Sequence, residues 1–458
     1  MSLFDKAKIK LEGRTTLRLA IPAIIAQMAQ MSMGTIDTIM SGRLSTEALA
    51  AIAVANNLII PLIILVLGIL MALNPMVSHA IGAQQTSRVA DYTQQGIYIA
   101  VFLTMPCFFL IPYAEPLMAI IGVEQSIRPV VLEYLLALRW GLLSLNLFFA
   151  LRFVNEGLFS TDAIMYIALS AIPFNIALNY IFMYGYFGIP AMGAVGLGYA
   201  TSIVWTLMFI TIAVYTLTVN KYKDIEFLRN YRPPQLVMIK QILTLAVPLS
   251  MTLFMEVFLF AAVGLMIGRF ALDMIAAHQI ALNVSAMIYM IPLGLSIAIS
   301  ARVGYAHGQH NLENCKLSAL VGICLAIMIS CVATIVLLSF PEAITQIYTE
   351  EPGVIALTLN LLVVAALFLI VDSIQVIAAS ALRGLHDTFV PMIIAGIAYW
   401  PVGFTIGYYF AEIQGLKAEG YWYGFVSGLT CAAILMLWRL KVVFDRFGKI
   451  EQQTDSSI

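Results

Sequence analysis

The chain has 458 residues, 61% of them hydrophobic and 11% charged, with a formal net charge of −1 and a mean hydropathy of +0.94. Soluble domains carry about a quarter charged residues, so a water-facing surface cannot be covered, and a net charge near zero says nothing about partners. Apolar runs of about 20 residues, enough to cross a hydrocarbon core of roughly 30 Å, recur along the whole length and predict an all-α polytopic membrane protein.

Twelve helices are predicted in chain order, near 15–40, 48–74, 90–113, 128–150, 162–185, 193–218, 238–267, 274–300, 316–340, 354–382, 388–411 and 420–440. The basic start (Lys6, Lys8, Lys10, Arg14, Arg18) leads into a span too long for a cleavable signal, so it is expected to stay attached. Nineteen of the 24 Lys and Arg fall before helix 1, in every second loop and after helix 12, while Arg43, Arg128, Arg269 and Lys417 occupy the alternate loops. Positive residues stay cytoplasmic, so both termini are expected inside. The organisation that follows is a cytoplasmic segment (1–13), six helices (14–218), a polar linker (219–237), six more helices (238–440) and a cytoplasmic tail (441–458).

Helix 1 holds one charge between Arg18 and Arg43: Asp37, in "MGTIDTIMSG". It lies roughly 9 Å from the outer helix end. On helix 5, Asn175 and Asn179 share a face at i, i+4 and lie about 20 and 26 Å from the inner end, level with Asp37. Thr201 on helix 6 is at a compatible depth. These residues can converge on one pocket, the amides orienting the carboxylate. A lone Asn or Thr in a membrane helix is often interhelical glue, and Asp37 can also be read as reaching interfacial water. Arg139, the one cation within a span, is expected to pair with an acid or to reach outward. In the second half, Glu256 in "LFMEVFLF" and Asp372 in "LIVDSIQV" come out near mid-depth, where carboxylates are functional by default, carrying a proton or holding a cation. His278 reads as packing. Pro22, Pro61, Pro173, Pro248, Pro292, Pro391 and Pro401 lie inside helices and permit kinks.

A shift of 226 residues superposes the halves: Pro22 on Pro248, Gly42–Arg43 on Gly268–Arg269, Asn57 on Asn283, Gly68 on Gly294 and Gly82 on Gly308. Six helices per repeat gives two halves of the same orientation, related by an axis along the membrane normal. The acids break the symmetry, because Asp37 falls on Val263 and Glu256 on Gln30. The five cysteines match no metal site or disulfide framework, and no GxxxxGK[ST] loop, HExxH pattern or TVGYG filter occurs.

Together, "MAQMSMGTIDTIMSG", "NIALNYIFMYG", "EVFLFAAVGLMIGR" and "DSIQVIAASALRG" resemble the multidrug and toxic compound extrusion (MATE) transporters, NorM-type branch, over essentially the whole chain. The resemblance implies two pseudo-symmetric six-helix bundles forming a V-shaped cavity in the cell inner membrane. It implies secondary active export of varied, often cationic, drugs and dyes against inward H⁺ or Na⁺. It further implies a monomer in the lipid bilayer, with no enzyme chemistry, no cofactor and no nucleic-acid partner. By motif, Asp37 with Asn175 and Asn179 resembles the N-lobe polar site, Asp37 also being expected to meet substrate. Glu256 and Asp372 resemble the C-lobe acidic pair. Pro22 matches the helix-1 proline at which some members bend when the Asp is protonated. Some members carry a second Asp where this chain has Asn179, so the resemblance favours a proton over a tightly held N-lobe Na⁺; Na⁺ at Glu256 and Asp372 stays open. The alternatives are a Na⁺-coupled antiporter, a lipid-linked saccharide flippase and, from another class, a channel.

Overall fold

The computed structural model describes residues 6–225, 227 and 232–455. Among the described residues, twelve helices are long and apolar enough to cross a membrane. They are α1 Lys6–Leu44, α2 Thr46–Gly82, α3 Thr86–Ile120, α4 Arg128–Gly157, α5 Thr161–Tyr184 and α6 Gly193–Thr218, then α7 Leu236–Ile267, α8 Leu272–Gly308, α9 Leu312–Ser339, α10 Pro352–Gly384, α11 Phe389–Ile413 and α12 Lys417–Lys449. The all-α, twelve-helix reading holds, but several ends move. α1 starts at Lys6 inside the segment read as 1–13, α4 runs seven residues beyond 150, and helix continues from α12 into the segment read as a tail. Charged residues mark where a helix leaves an apolar layer; they do not stop its backbone hydrogen bonds.

Prolines shape the interiors. Pro75 has no N–H for the carbonyl of Met71, and α2 breaks at Ala72 into Thr46–Met71 and Leu73–Gly82. Around Pro112, α3 tightens to a 3₁₀ turn at Ile111–Tyr113. α11 widens into π-helix at Ala398–Phe404, around Pro401, and again at Tyr409–Ile413.

Two compact units are delimited: Ile25–Ser250, and the chain up to Ile24 together with Met251 onward. Their bounds lie within α1 and α7, two residues beyond the repeat-related Pro22 and Pro248, and not in the linker. Within the first unit α7 packs on α2 at Ser250: a Cβ on Gly68 would lie 2.6 Å from the Cα of Ser250, whose hydroxyl donates to the Leu65 carbonyl at 2.8 Å. Within the second, Gly294 of α8 meets Ile24 of α1 at the same 2.6 Å. Glycine recurs at 68 and 294 because the 226-residue repeat brings backbone against backbone at both places.

The start of α1 is tied into the second unit by charge. Arg302 donates through Nε to Glu12 at 3.0 Å and pairs again through Nη2, Ser318 donates to Glu12 at 2.6 Å, and Lys8 pairs with Glu313 at 3.0 Å. In the same unit α11 and α12 pack through small residues. A Cβ on Gly424 would lie 2.6 Å from the Gly403 carbonyl, and one on Gly420 would lie 2.3 Å from the Ala411 nitrogen. This is the small-xxx-small pattern of close membrane helices. After α6 the linker makes a 3₁₀ turn at Asn220–Ile225. Burial pushes the Tyr222 hydroxyl up from its ordinary value, so it stays a donor, to Asn155 Oδ1 at 3.0 Å.

Candidate coupling sites

In the first unit, α1, α5 and α6 bring Asp37, Asn175, Asn179 and Thr201 together. Asn179 Nδ2 donates to Asp37 Oδ1 at 2.7 Å and Asn175 Nδ2 to the same oxygen at 3.1 Å; Thr201 Oγ1 donates to Oδ2 at 3.4 Å. The two asparagines are one turn apart on α5, so one helix face delivers both amides. They are 1% and 0% exposed, which fixes their direction. Asn179 Nδ2 also reaches Asn175 Oδ1 at 3.3 Å, while Asn179 Oδ1 is buried without a hydrogen-bond partner. The carboxylate therefore faces three donors, and the same cluster holds one buried acceptor without a partner.

Asp37, Asn175 and Thr201 open on a cavity of about 260 Å³, walled by Ile59, Phe148, Phe149, Tyr134, Trp205 and Met208 and floored by Gln30. An acid at the edge of an apolar, aromatic chamber suits an amphiphilic cation.

Gln30 leads to a cluster that the sequence reading missed. Arg152 donates to Gln30 Oε1 at 2.9 Å, Gln27 Oε1 at 2.6 Å and Glu156 Oε1 at 2.8 Å. Arg152 and Glu156 are each 2% exposed. Counted as a loop cation, Arg152 is instead a buried residue of α4. The signal available was the i, i+4 Arg–Glu spacing in "ALRFVNEGLF", which a helix ended at 150 concealed.

In the second unit Glu256 of α7 and Asp372 of α10 lie within electrostatic range of each other. Tyr399 and Tyr289 of α8 are each in electrostatic range of both acids. Asp372 is 2% exposed and its Oδ1 has no hydrogen-bond partner. Gln375, one turn from Asp372, donates to Tyr399 Oη at 3.1 Å. Tyr399 belongs to the first π stretch of α11, and nothing in the sequence pattern singled it out.

Pro22 lies fifteen residues before Asp37, about 22 Å along α1, and lines neither cluster; α1 continues through it as helix. His278 accepts from Trp422 Nε1 at 3.1 Å as part of the packing. Arg139 rests on aromatic rings, 4.9 Å from Phe108 and 5.2 Å from Trp140, in place of an acid. The described residues hold no group of three or more His, Cys, Asp or Glu able to bind a metal, and the five cysteines are free.

The MatE family profile matches the chain twice, over residues 22–181 and 248–409, the two matches starting 226 residues apart. The chain belongs to the MATE family. The "Probable multidrug resistance protein NorM" of Idiomarina loihiensis is 37% identical over 436 residues, covering 94% of each chain. The "Multidrug resistance protein MdtK" of Yersinia enterocolitica is 35% identical over 439 residues, 95% of this chain and 96% of its own. Among solved structures, the eukaryotic MATE transporter AtDTX14 superposes with a TM-score of 0.87 at 17% identity, covering 97% of this chain and 99% of its own. An outward-facing multidrug resistance MATE family transporter of the MOP superfamily gives 0.87 at 21% identity, with 96% and 97% covered. The MATE fold expected from the motifs is the fold observed.

Proposed function

We propose that this MATE chain is a secondary active antiporter that exports varied, often cationic, amphiphilic compounds across the cell inner membrane, exchanging them for H⁺ at Asp37. The observation that carries this reading is one carboxylate, held by three donors, at the edge of an aromatic cavity. The NorM and MdtK names of its relatives support the multidrug part. As a carboxylate, Asp37 attracts a cationic substrate. Protonation removes that charge and turns an acceptor oxygen into a donor, for which Asn179 Oδ1 is an available acceptor. Substrate then leaves outward, and proton loss towards the cytoplasm, where both termini lie in this scheme, resets the site. One inward charge yields about 2.3 kcal/mol per 100 mV and one pH unit about 1.4 kcal/mol. At one-to-one exchange a departing monovalent cation cancels the charge the proton brings in, so the pH unit alone sustains roughly a tenfold gradient, whereas an uncharged substrate draws on both terms and reaches roughly several hundredfold. A monomer carries every residue the scheme uses.

A second reading, Na⁺ coupling, is favoured by the second unit. Asp372 Oδ1 is buried and unpartnered beside Glu256 and Tyr399, and these are the oxygen donors a hard cation takes. A flippase for an anionic lipid-linked sugar fits poorly with acids at both clusters, and a channel would not show counterflow. Dye transport in proteoliposomes, with H⁺ and Na⁺ gradients imposed separately, tests the proposal. Uphill dye movement on the H⁺ gradient alone is expected. Movement only with Na⁺ would shift the coupling to Glu256 and Asp372, and dissipation without counterflow would overturn antiport.

A further inference from the structure

A second cavity in the first unit lies away from Asp37, where the linker end of α6 meets α3 and α4. Its volume is about 290 Å³, and its walls include Ile97, Leu151, Phe209, Ala213 and Phe227. From Leu217, in the last turn of α6, to Phe209 it extends about 12 Å along the helix. The wall hydroxyls are engaged elsewhere: Thr93 donates to the Val89 carbonyl at 2.7 Å, Thr216 to Ile212 at 2.7 Å and Tyr98 to Arg232 at 3.0 Å. Among the described residues no charged side chain lines the space, so it suits an alkyl chain.

Phe227 stands in this wall because the linker is fixed to α3 by two glutamines, each used at both ends. Gln94 donates to the Phe227 carbonyl at 3.0 Å and accepts from the Arg232 nitrogen at 2.9 Å. Gln95 donates to Pro233 at 3.4 Å and accepts from Gln235 at 2.9 Å. Arg232 pairs with Asp91 at 2.8 Å while its side chain stays 43% exposed. Lys221 and Lys223, just beyond α6, are exposed as well. On the other flank, Ile210, Val214 and Leu217 of α6 are at least half exposed, the side a bilayer would cover.

We propose that this cavity holds one acyl chain of an anionic phospholipid whose phosphate sits at the basic linker. Apolar walls take the chain, and Lys and Arg at the helix ends select the negative headgroup. The site is separate from the cavity at Asp37 and stands whether or not the transport scheme above is right.

Native mass spectrometry of the delipidated full-length protein, titrated with phosphatidylglycerol or phosphatidylcholine, tests it. One phosphatidylglycerol should be retained with a preference of roughly tenfold or more, the scale of two basic contacts to an anionic headgroup, shrinking as ammonium acetate is raised. Ala213→Phe fills the space and should lower retention by a similar factor. Ile210→Phe, which adds bulk on the exposed face of α6, should leave it unchanged. If Ala213→Phe does not fold, Ala213→Val supplies the comparison. Equal retention of the two lipids, undiminished retention in the filled variant, or displacement by ethidium would each overturn the proposal.

Discussion

Asp37 is the residue on which the proposed coupling turns, and its hydrogen bonds grade the expected effects of its neighbours. Asn179 gives the short bond and Asn175 the longer one to the same oxygen, with Thr201 longest. A hydrogen bond to a charged group is worth about 1.5–3 kcal/mol. Proton-driven dye efflux should therefore fall most in Asn179→Ala, less in Asn175→Ala and least in Thr201→Val; the reverse order would mean these groups act by packing. The buried Arg152–Glu156 pair makes a different prediction. Removing one partner strands a charge and costs about 3–5 kcal/mol, whereas replacing both is far milder. Thermal unfolding in detergent should show Arg152→Met well below wild type and Arg152→Met with Glu156→Leu recovering much of the loss. The acids and asparagines were legible in the sequence because polarity inside an apolar run stands out. Arg152 was not, because a cation near an expected helix end looks like a loop residue. Tyr399 was not, because a hydroxyl on an aromatic ring resembles ordinary packing until π-helix turns it towards Glu256.

At the scale of elements, the glycines divide by what their missing side chains permit. Gly68, Gly294 and Gly424 each leave only 2.6 Å for an added Cβ, whereas Gly264 on α7 has nothing within 4 Å. Alanine at the first three should lower the melting temperature in detergent by several degrees, since overpacking costs about 1–3 kcal/mol. Gly264→Ala should be neutral or slightly stabilising. Equal effects at all four would show that helix propensity, not close approach, governs them. The sequence displayed this partly. The repeat aligned Gly68 with Gly294, yet only the structure shows that each meets the backbone of a helix just past its proline, Ser250 of α7 or Ile24 of α1. Helix count followed from hydropathy and charge alternation. Helix ends did not, because Lys6 to Arg18 and the basic stretch after Arg439 are compatible with continued backbone hydrogen bonding.

The whole molecule repeats one six-helix plan twice and equips the copies differently. One unit carries a single acid among amides at the edge of a cavity, and the other carries two acids near Tyr289 and Tyr399. α1 and α7 are the helices divided between the units, each soon after its proline. That division was hidden in the sequence, where the polar linker is the conspicuous boundary; the bound follows packing, and the linker itself is held on α3 by Gln94 and Gln95. The central claim is that Asp37 exchanges its proton for substrate. Proton release from purified protein on addition of ethidium, read with a pH-sensitive dye in weak buffer, tests it most directly. At a pH low enough that Asp37 is protonated in the free protein, wild type should release up to about one proton per substrate bound, falling towards none as the pH is raised, and Asp37→Asn should release none at any pH. Glu256→Gln with Asp372→Asn should still release it. Undiminished release from Asp37→Asn would contradict the account.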